Sequence, residues 1–258
     1  MGFYLGLEGG GTKTDLVIGT QSGAPLGRWR LGPTSLSRRS TAEVAEELRR
    51  GISAALTAVG GAEDECLAVC GGFASAGSRG AEFTAMLQEV CPRARVEALT
   101  DAELALEAAT GGGDGIILIA GTGSIAWGRR GGKLARAGGE GPGRDPGSGD
   151  WIGRQAVAAG LVSPPGDGNF AGLLPRLARE TDPRVVALFQ AAGQALAELL
   201  RSCAATLDWA APESYARGGV VDHIPEVRQA LERAWGRPLL TPKALPAEAA
   251  LARARRMV

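Results

Sequence analysis

The sequence predicts an α/β protein of two lobes, and three observations carry that expectation. An apolar strand at the start runs into Gly9-Gly10-Gly11-Thr12 and returns as a second strand. Strand-like and helix-like segments then alternate, the pattern of parallel strands joined by crossover helices. The opening recurs at Gly121-Thr122-Gly123-Ser124, so that Gly9 and Gly121, Gly11 and Gly123, and Thr12 and Ser124 are each 112 residues apart. With 258 residues, the chain is long enough for a lobe around each copy.

The elements follow in order. Phe3, Leu5 and Leu7 alternate with smaller residues before the first glycine turn, and Leu16 to Ile18 resumes as a strand. Gln21-Ser22-Gly23 turns the chain into a third strand, Leu26 to Leu31. Ser40 and Glu43 form a capping-box pair ahead of Val44, Leu48, Ile52 and Leu56, which predicts a helix to Val59 stopped by Gly60-Gly61. A strand at Leu67 to Gly71, a helix at Glu82 to Val90 and a strand at Arg95 to Leu99 follow, with Asp101 as a natural helix N-cap. The second copy begins with Ile116 to Ala120, turns at Gly121 to Ser124, continues through Ile125-Ala126-Trp127 and turns again at Gly131-Gly132. A glycine-rich loop, Gly138 to Gly149, leads to a helix at Asp150 to Ala159. A helix near Leu173 to Arg179, a long one at Pro183 to Thr206 capped by Asp182, a strand into Gly218-Gly219-Val220-Val221 and an Ala-rich helix at Pro246 to Arg256 complete the chain. These elements divide it into lobes at 1–105 and 106–245, with the terminal helix, 246–258, joined to the first.

Composition narrows the function classes. Glycine makes up 40 of 258 residues, about twice the usual share of ~7%, yet 45% of the chain is hydrophobic, which excludes disorder and implies many tight turns. Aromatic residues are 5%, so Ala, Leu, Val and Ile must fill the core. Lys plus Arg equals Asp plus Glu at 28 each, leaving no global field for nucleic acid or an anionic membrane. No apolar run approaches membrane-spanning length and the first residues lack a basic, then apolar, leader, which leads us to expect a cytoplasmic protein. Cys66, Cys70, Cys91 and Cys203 read as reduced thiols, Cys66 and Cys70 within a buried strand. His223 is the only histidine, which leaves little for His-based triads or multi-histidine metal sites.

The chemistry-bearing candidates gather at the turns. A strand running into Gly-Gly-Gly-Thr exposes backbone N–H groups suited to phosphate oxygens, with Thr12 adding a hydroxyl and Lys13 a charge. The turn is neither a Walker A sequence nor a dinucleotide fingerprint, and alone it also reads as an ordinary hairpin. Its second copy favours a pair of phosphate hairpins, one per lobe, clamping a polyphosphate. Glu8 stands where a carboxylate could hold Mg2+ near the phosphates, or simply ends a strand at the surface. Asp101, at the carboxyl end of a strand, reads either as a helix cap or as the base a phosphoryl acceptor requires.

Taken in order, Gly6-Leu-Glu-Gly-Gly-Gly-Thr-Lys-Thr14, Thr100-Asp-Ala102, Ala120-Gly-Thr-Gly-Ser124, Gly147-Ser-Gly-Asp-Trp-Ile-Gly153 and Gly218-Gly219 resemble the N-acetylglucosamine kinase and BadF/BadG/BcrA/BcrD ATPase family, within the actin and hexokinase superfamily. The resemblance spans nearly the whole chain. It implies two ribonuclease-H-like lobes of the actin-like ATPase fold with a nucleotide cleft between them. It makes Gly9, Gly10, Gly11, Thr12, Lys13 and Thr14 the first phosphate segment, Gly121, Thr122, Gly123 and Ser124 the second, and Gly218 and Gly219 the adenosine segment. Asp101 becomes the catalytic base, and Glu8 takes the place of a metal-associated acid. Ser35, Ser75, Asp101, Thr122, Gly123 and Asp145 fall where the family contacts sugar. The implied activity is transfer of the γ-phosphate of ATP, with Mg2+, to N-acetylglucosamine or a related amino sugar, by a protein expected to form a homodimer. The family also includes ATPases that activate radical dehydratases through an iron–sulfur cluster, and a non-catalytic nucleotide-binding relative is the third reading.

The chain departs from the family pattern at three places. Ser35 stands where the sugar kinases usually show Asn. In the glycine-rich loop Glu140 replaces a Trp, Pro146 replaces a Glu, and one residue is missing. Several tens of residues of helical material usual before the Asp182 helix are absent.

Overall fold

The structure, a computed structural model, describes residues 2–258. The chain forms two compact units, one of Met1–Gly112 with Lys243–Val258 and the other of Gly113–Pro242.

In the first unit, β1 (Phe3–Gly9), β2 (Thr14–Gly19) and β3 (Gly27–Leu31) form an antiparallel meander in which Glu8 lies opposite Asp15 and Gly9 opposite Thr14. α1 (Thr41–Ala58) leads to β4 (Cys66–Phe73), parallel to β1. α2 (Ala76–Val90) leads to β5 (Arg95–Thr100), parallel to β4, and α3 (Asp101–Thr110) follows directly. The sheet order is β3-β2-β1-β4-β5. The period-two alternation decides the layers. Phe3, Leu5, Leu7, Leu16 and Ile18 pack with Val44, Leu48 and Ile52 of α1 and Phe83 and Leu87 of α2. Tyr4, Val17, Ala68 and Cys70 pack on the other face with Leu104 and Ala108 of α3 and Ala250, Leu251 and Ala254 of the C-terminal helix, Pro246–Arg256. Ion pairs lock this second layer: Arg253 donates to both carboxylate oxygens of Glu97 at 2.6 Å and to the buried Glu107 at 3.2 Å, and Arg256 also binds Glu107. Because α3 is packed along its whole length on this sheet, the first unit extends past residue 105 to Gly112.

In the second unit β6 (Gly115–Ala120), β7 (Ser124–Arg130) and β8 (Lys133–Gly138) repeat the meander, and β9 (Ser214–Arg217) runs parallel to β6, giving the order β8-β7-β6-β9. A single residue, Leu240, extends this sheet by a parallel bridge to Tyr215, where the first sheet has β5. Pro238 and Pro242 flank it and cannot donate to a ladder, which keeps this edge from becoming a full strand. Both sheets thus have the ribonuclease-H-like order that the resemblance implies. The helices are α4 (Gly149–Ala158), α5 (Leu174–Leu177), α6 (Pro183–Thr206), α7 (Gly219–His223) and α8 (Pro225–Trp235), around a core that includes Ile116, Leu118, Ile152, Phe189, Leu196 and Val227. No helix among the described residues is long and apolar enough to cross a membrane.

Four elements differ from the sequence expectation, one being the strand into Gly218-Gly219-Val220-Val221: β9 stops at Arg217, and the turn at Gly218 (φ +113°) starts α7 at Gly219. α2 begins at Ala76, six residues early, through a turn distorted at Arg79 (φ −129°, ψ 23°). The helix expected over Leu173 to Arg179 shrinks to Leu174–Leu177, because Arg179 and Glu180 bond to Arg176 and Leu177, tightening the end, and a 3-10 turn at Phe170–Leu173 precedes it. The sequence reading did not place α8, although Pro225 at its first turn and Gly236 past its end mark its limits.

All four cysteines are free and buried. Burial pushes the Cys70 and Cys203 thiols up to about 12, and a hydrogen bond with Cys66, then burial, raises Cys91. An aromatic disulfide reagent at pH 8 is therefore expected to find no reactive thiol in the native protein and all four after denaturation. The same shifts fix a sign: unfolded thiols ionise near 9.0 while folded Cys70 and Cys203 hold their protons to about 12, so the native state binds more protons in that window. Stability should fall as pH rises from about 9 to about 12, as followed by thermal unfolding.

Candidate functional site

In the first unit Gly10, Gly11, Thr12 and Lys13 form the loop between β1 and β2, closed by a bond from Gly10 N–H to Lys13 C=O at 3.0 Å. The segment after β3 braces it, since Thr34 N–H donates to Gly10 C=O at 3.1 Å and the buried hydroxyls of Thr14 and Thr34 lie 2.8 Å apart. Thr14 therefore supports the loop from beneath, while Gly11 and Thr12 stay exposed. Lys13 is turned sideways, its ammonium paired with Asp15, which also accepts from Arg30 at 3.1 Å. Burial raises the Asp15 carboxyl, but hydrogen bonds from Lys13 and Arg30 outweigh it and hold the carboxyl below its usual range.

Glu8, half-buried at the end of β1 and opposite Asp15, presents hard oxygen donors beside the loop. This donor set fits Mg2+, which usually takes one or two carboxylates and completes its shell with phosphate and water.

Ser35 and Ser75, two of the residues expected to contact sugar, meet in this unit. The Ser35 hydroxyl lies 2.8 Å from that of Ser37 and 3.3 Å from that of Ser75. Arg79 fixes their spacing, because it donates to Leu36 C=O at 2.9 Å and to the Thr41 hydroxyl at 2.8 Å while paired with Glu82. The distorted turn of α2 is what brings Arg79 to that carbonyl.

Asp101 is not the cap of α3. Thr100 is: its hydroxyl accepts from Glu103 N–H at 3.1 Å and Glu103 returns a bond to Thr100 N–H at 2.8 Å, a complete capping box. With the helix end already satisfied, the exposed Asp101 carboxylate accepts, among the described residues, only from Ala102 N–H, at 2.9 Å.

In the second unit the loop is Gly121-Thr122-Gly123, closed by Gly121 N–H to Gly123 C=O at 2.9 Å. The hairpin register corrects the 112-residue correspondence: Ser124 begins the returning strand, as Thr14 does in the first lobe, not Thr12. Like Thr14 it is buried and turned inward, donating to Pro146 C=O at 2.8 Å. Asp145, the residue of the glycine-rich loop expected at the sugar, is 3% exposed and accepts from Glu140 N–H at 2.6 Å, Gly141 N–H at 3.3 Å and Ser124 N–H at 3.4 Å, so it ties that loop to the hairpin.

A cavity of about 680 Å³ opens in this unit, lined by Gly121 and Thr122 of the hairpin, Ala171, Leu174, Pro175 and Ala178 around α5, and Gly219, Val220, His223 and Ile224. Gly218 (φ +113°) shapes its edge: its backbone abuts Ala120, where a Cβ would meet the carbonyl oxygen at 2.5 Å, and this sharp turn brings Gly219 to the cavity. Gly121 and Thr122 of the second phosphate segment and Gly219 of the adenosine segment thus share one mostly apolar cavity, the usual character of a small-molecule site. Sequence reading missed the α5 wall and His223. The spacing of His223, four residues after Gly219 on one helical turn, was the available signal.

The profile of the family described as BadF/BadG/BcrA/BcrD ATPase family matches residues 5–162. The chain is 34% identical over 169 residues to the N-acetylmuramic acid/N-acetylglucosamine kinase of Clostridium acetobutylicum, covering 63% of this chain and 55% of that one. It is 34% identical over 171 residues to the glucosamine kinase GspK of Vibrio cholerae, covering 64% and 57%. In these matches the chain spans about half the length of its curated relatives. Among solved structures, a provisionally named N-acetylglucosamine kinase from Chromobacterium violaceum superposes with a TM-score of 0.75 at 25% identity, covering 97% of this chain and 98% of that one. A ROK family glucokinase from Streptomyces griseus, solved with glucose and AMPPNP, shares the fold at a TM-score of 0.62 and 19% identity, covering 100% and 99%.

Proposed function

The chain belongs to the BadF/BadG/BcrA/BcrD ATPase family, and from that premise we propose that it is an ATP-dependent kinase that phosphorylates a hydroxyl of an amino sugar, with N-acetylglucosamine the leading acceptor. The observation that carries the reading is the shared cavity of the second unit, where hairpin Gly121–Gly123 and the Gly219 turn meet. Adenosine would occupy that cavity against Gly219, and Thr122 and Gly123 would take phosphate oxygens through backbone N–H groups, as would Gly11 and Thr12 of the first hairpin, in loops that Gly121 N–H and Gly10 N–H close. Ser35 and Ser75 would hold sugar hydroxyls. Asp101 would accept the proton of the acceptor hydroxyl as its oxygen bonds to the γ-phosphorus and the bond to the β-phosphate oxygen breaks, releasing ADP. Glu8 is the residue that would hold Mg2+, which when bound supplies positive charge to the phosphates. Positioning of the two substrates provides much of the acceleration in such a transfer. We place the protein in the cytoplasm, where ATP is supplied, as a homodimer acting on small molecules only.

Sequence resemblance also allowed an activator of a radical dehydratase. Such an activator holds an iron–sulfur cluster through thiolates, whereas Cys66, Cys70, Cys91 and Cys203 are all buried here, with Cys70, Cys91 and Cys203 pushed away from the thiolate form. The kinase reading is tested by following ADP from purified protein, Mg2+ and ATP with N-acetylglucosamine, N-acetylmannosamine, N-acetylmuramic acid, glucosamine or glucose. ADP release that depends on an amino sugar is expected. Turnover indifferent to every sugar would favour an ATPase instead.

A further inference from the structure

Two cations flank the first phosphate hairpin, Lys13 in its loop and Arg30 on the neighbouring β3, and both are committed. Lys13 and Arg30 share Asp15, and Glu8 stands opposite Asp15 in the register. A triphosphate brings about four negative charges, and cations already held by a carboxylate do little to offset them. One further cation lies against the loop. Arg38, exposed at the end of the Thr34-Ser35 segment, runs its side chain over Gly11: a Cβ built on Gly11 would lie 3.7 Å from Arg38 Cδ and Nε and 3.8 Å from Cζ. The local fold places it there. Both Arg38 N–H and Arg39 N–H bond to Ser35 C=O at 3.1 Å, forming a tight turn. Arg39 then turns away, donating to Pro33 C=O at 2.9 Å and lying near Glu43, while the Arg38 guanidinium has no hydrogen-bond or ion-pair partner among the described residues.

We propose that Arg38 is the cation that contacts the terminal phosphoryl group of the nucleotide at the first hairpin and stabilises its charge during transfer. This rests on the kinase reading. A planar guanidinium with several N–H donors suits phosphate oxygens, and only an unpaired one can turn to them without breaking an existing ion pair. Its place on the loop that carries Ser35 couples the phosphoryl contact to the sugar contact, so that acceptor binding and charge stabilisation use the same turn.

The test compares Arg38→Ala and Arg38→Lys with the wild type, using calorimetric binding of a non-hydrolysable ATP analogue and of ADP, and sugar-dependent ADP release. The expected result for Arg38→Ala is an affinity for the ATP analogue at least about tenfold lower, an affinity for ADP within about threefold of wild type, and kcat lower by about 10²-fold or more. Arg38→Lys should recover part of each loss. Because Arg38 is exposed and bonds through no side-chain atom, thermal unfolding should match wild type. An unchanged preference for the ATP analogue over ADP in Arg38→Ala would overturn the assignment of Arg38 alone. Failure of the wild type to bind either nucleotide would overturn the kinase reading and the Arg38 assignment together.

Discussion

Replacing Asp101 with alanine is expected to lower kcat for sugar phosphorylation by about 10²-fold or more, the usual range for loss of a positioned general base. The prediction is sharp because the structure removes the competing explanation for the residue. A helix cap at this position would make Asp101→Ala a stability mutation, but Thr100 and Glu103 cap α3 reciprocally and Asp101 accepts, among the described residues, only the N–H of its neighbour Ala102. An exposed substitution of this kind should change stability by no more than about 0.5 kcal/mol. Affinity for the ATP analogue should stay within about threefold, since the proposed nucleotide contacts lie on other segments. Asp101→Asn should behave like Asp101→Ala, because an amide keeps the shape and cannot take the proton. Sugar phosphorylation by a folded Asp101→Ala variant at within tenfold of the wild-type rate would remove Asp101 from the base role.

The largest expected effect on stability is at Gly6. It lies in the middle of β1 on the face that carries Tyr4 and Glu8, and the C-terminal helix crosses directly over it. A Cβ here would lie 2.2 Å from both the carbonyl oxygen of Ala247 and the amide nitrogen of Leu251, and 2.8 Å from Leu251 Cα. These are backbone atoms of a helix, so no rotamer change relieves the clash. The helix must lift from the sheet, loosening Ala250, Leu251 and Ala254 from their cluster and pulling Arg253 and Arg256 from Glu97 and Glu107. Overpacking of this kind costs about 1–3 kcal/mol and sometimes more. With backbone on the opposing side, we expect Gly6→Ala to destabilise by about 3 kcal/mol, a large part of a typical total of about 5–15 kcal/mol. Gly10→Ala is the matched control, because its Cβ would meet nothing closer than Lys13 C=O at 3.6 Å. Urea unfolding midpoints compare the two; equal midpoints would show that the helix does not depend on Gly6.

The sequence by itself determined the elements and their repetition. The Ser40–Glu43 box, the Asp182 cap, the Phe3-Leu5-Leu7 alternation and the two glycine hairpins appear in the structure where their local patterns put them. Each depends on groups within a few residues, whose backbone hydrogen bonds and burial period are written in the local order of residues. The candidate site was legible only as a set of segments. Tertiary structure decided which face each residue shows: Thr14 and Ser124 turn inward, Lys13 turns to Asp15, Asp145 ties down its own loop, and Thr100 takes the capping role from Asp101. It also gathered Gly121, Pro175 and His223 around one cavity and laid Arg38 over Gly11. Some of these pairings join segments tens of residues apart, and others choose between near neighbours. In both cases the outcome is set by how a side chain satisfies charge and hydrogen bonds once the backbone is folded, and no periodicity in the sequence encodes that.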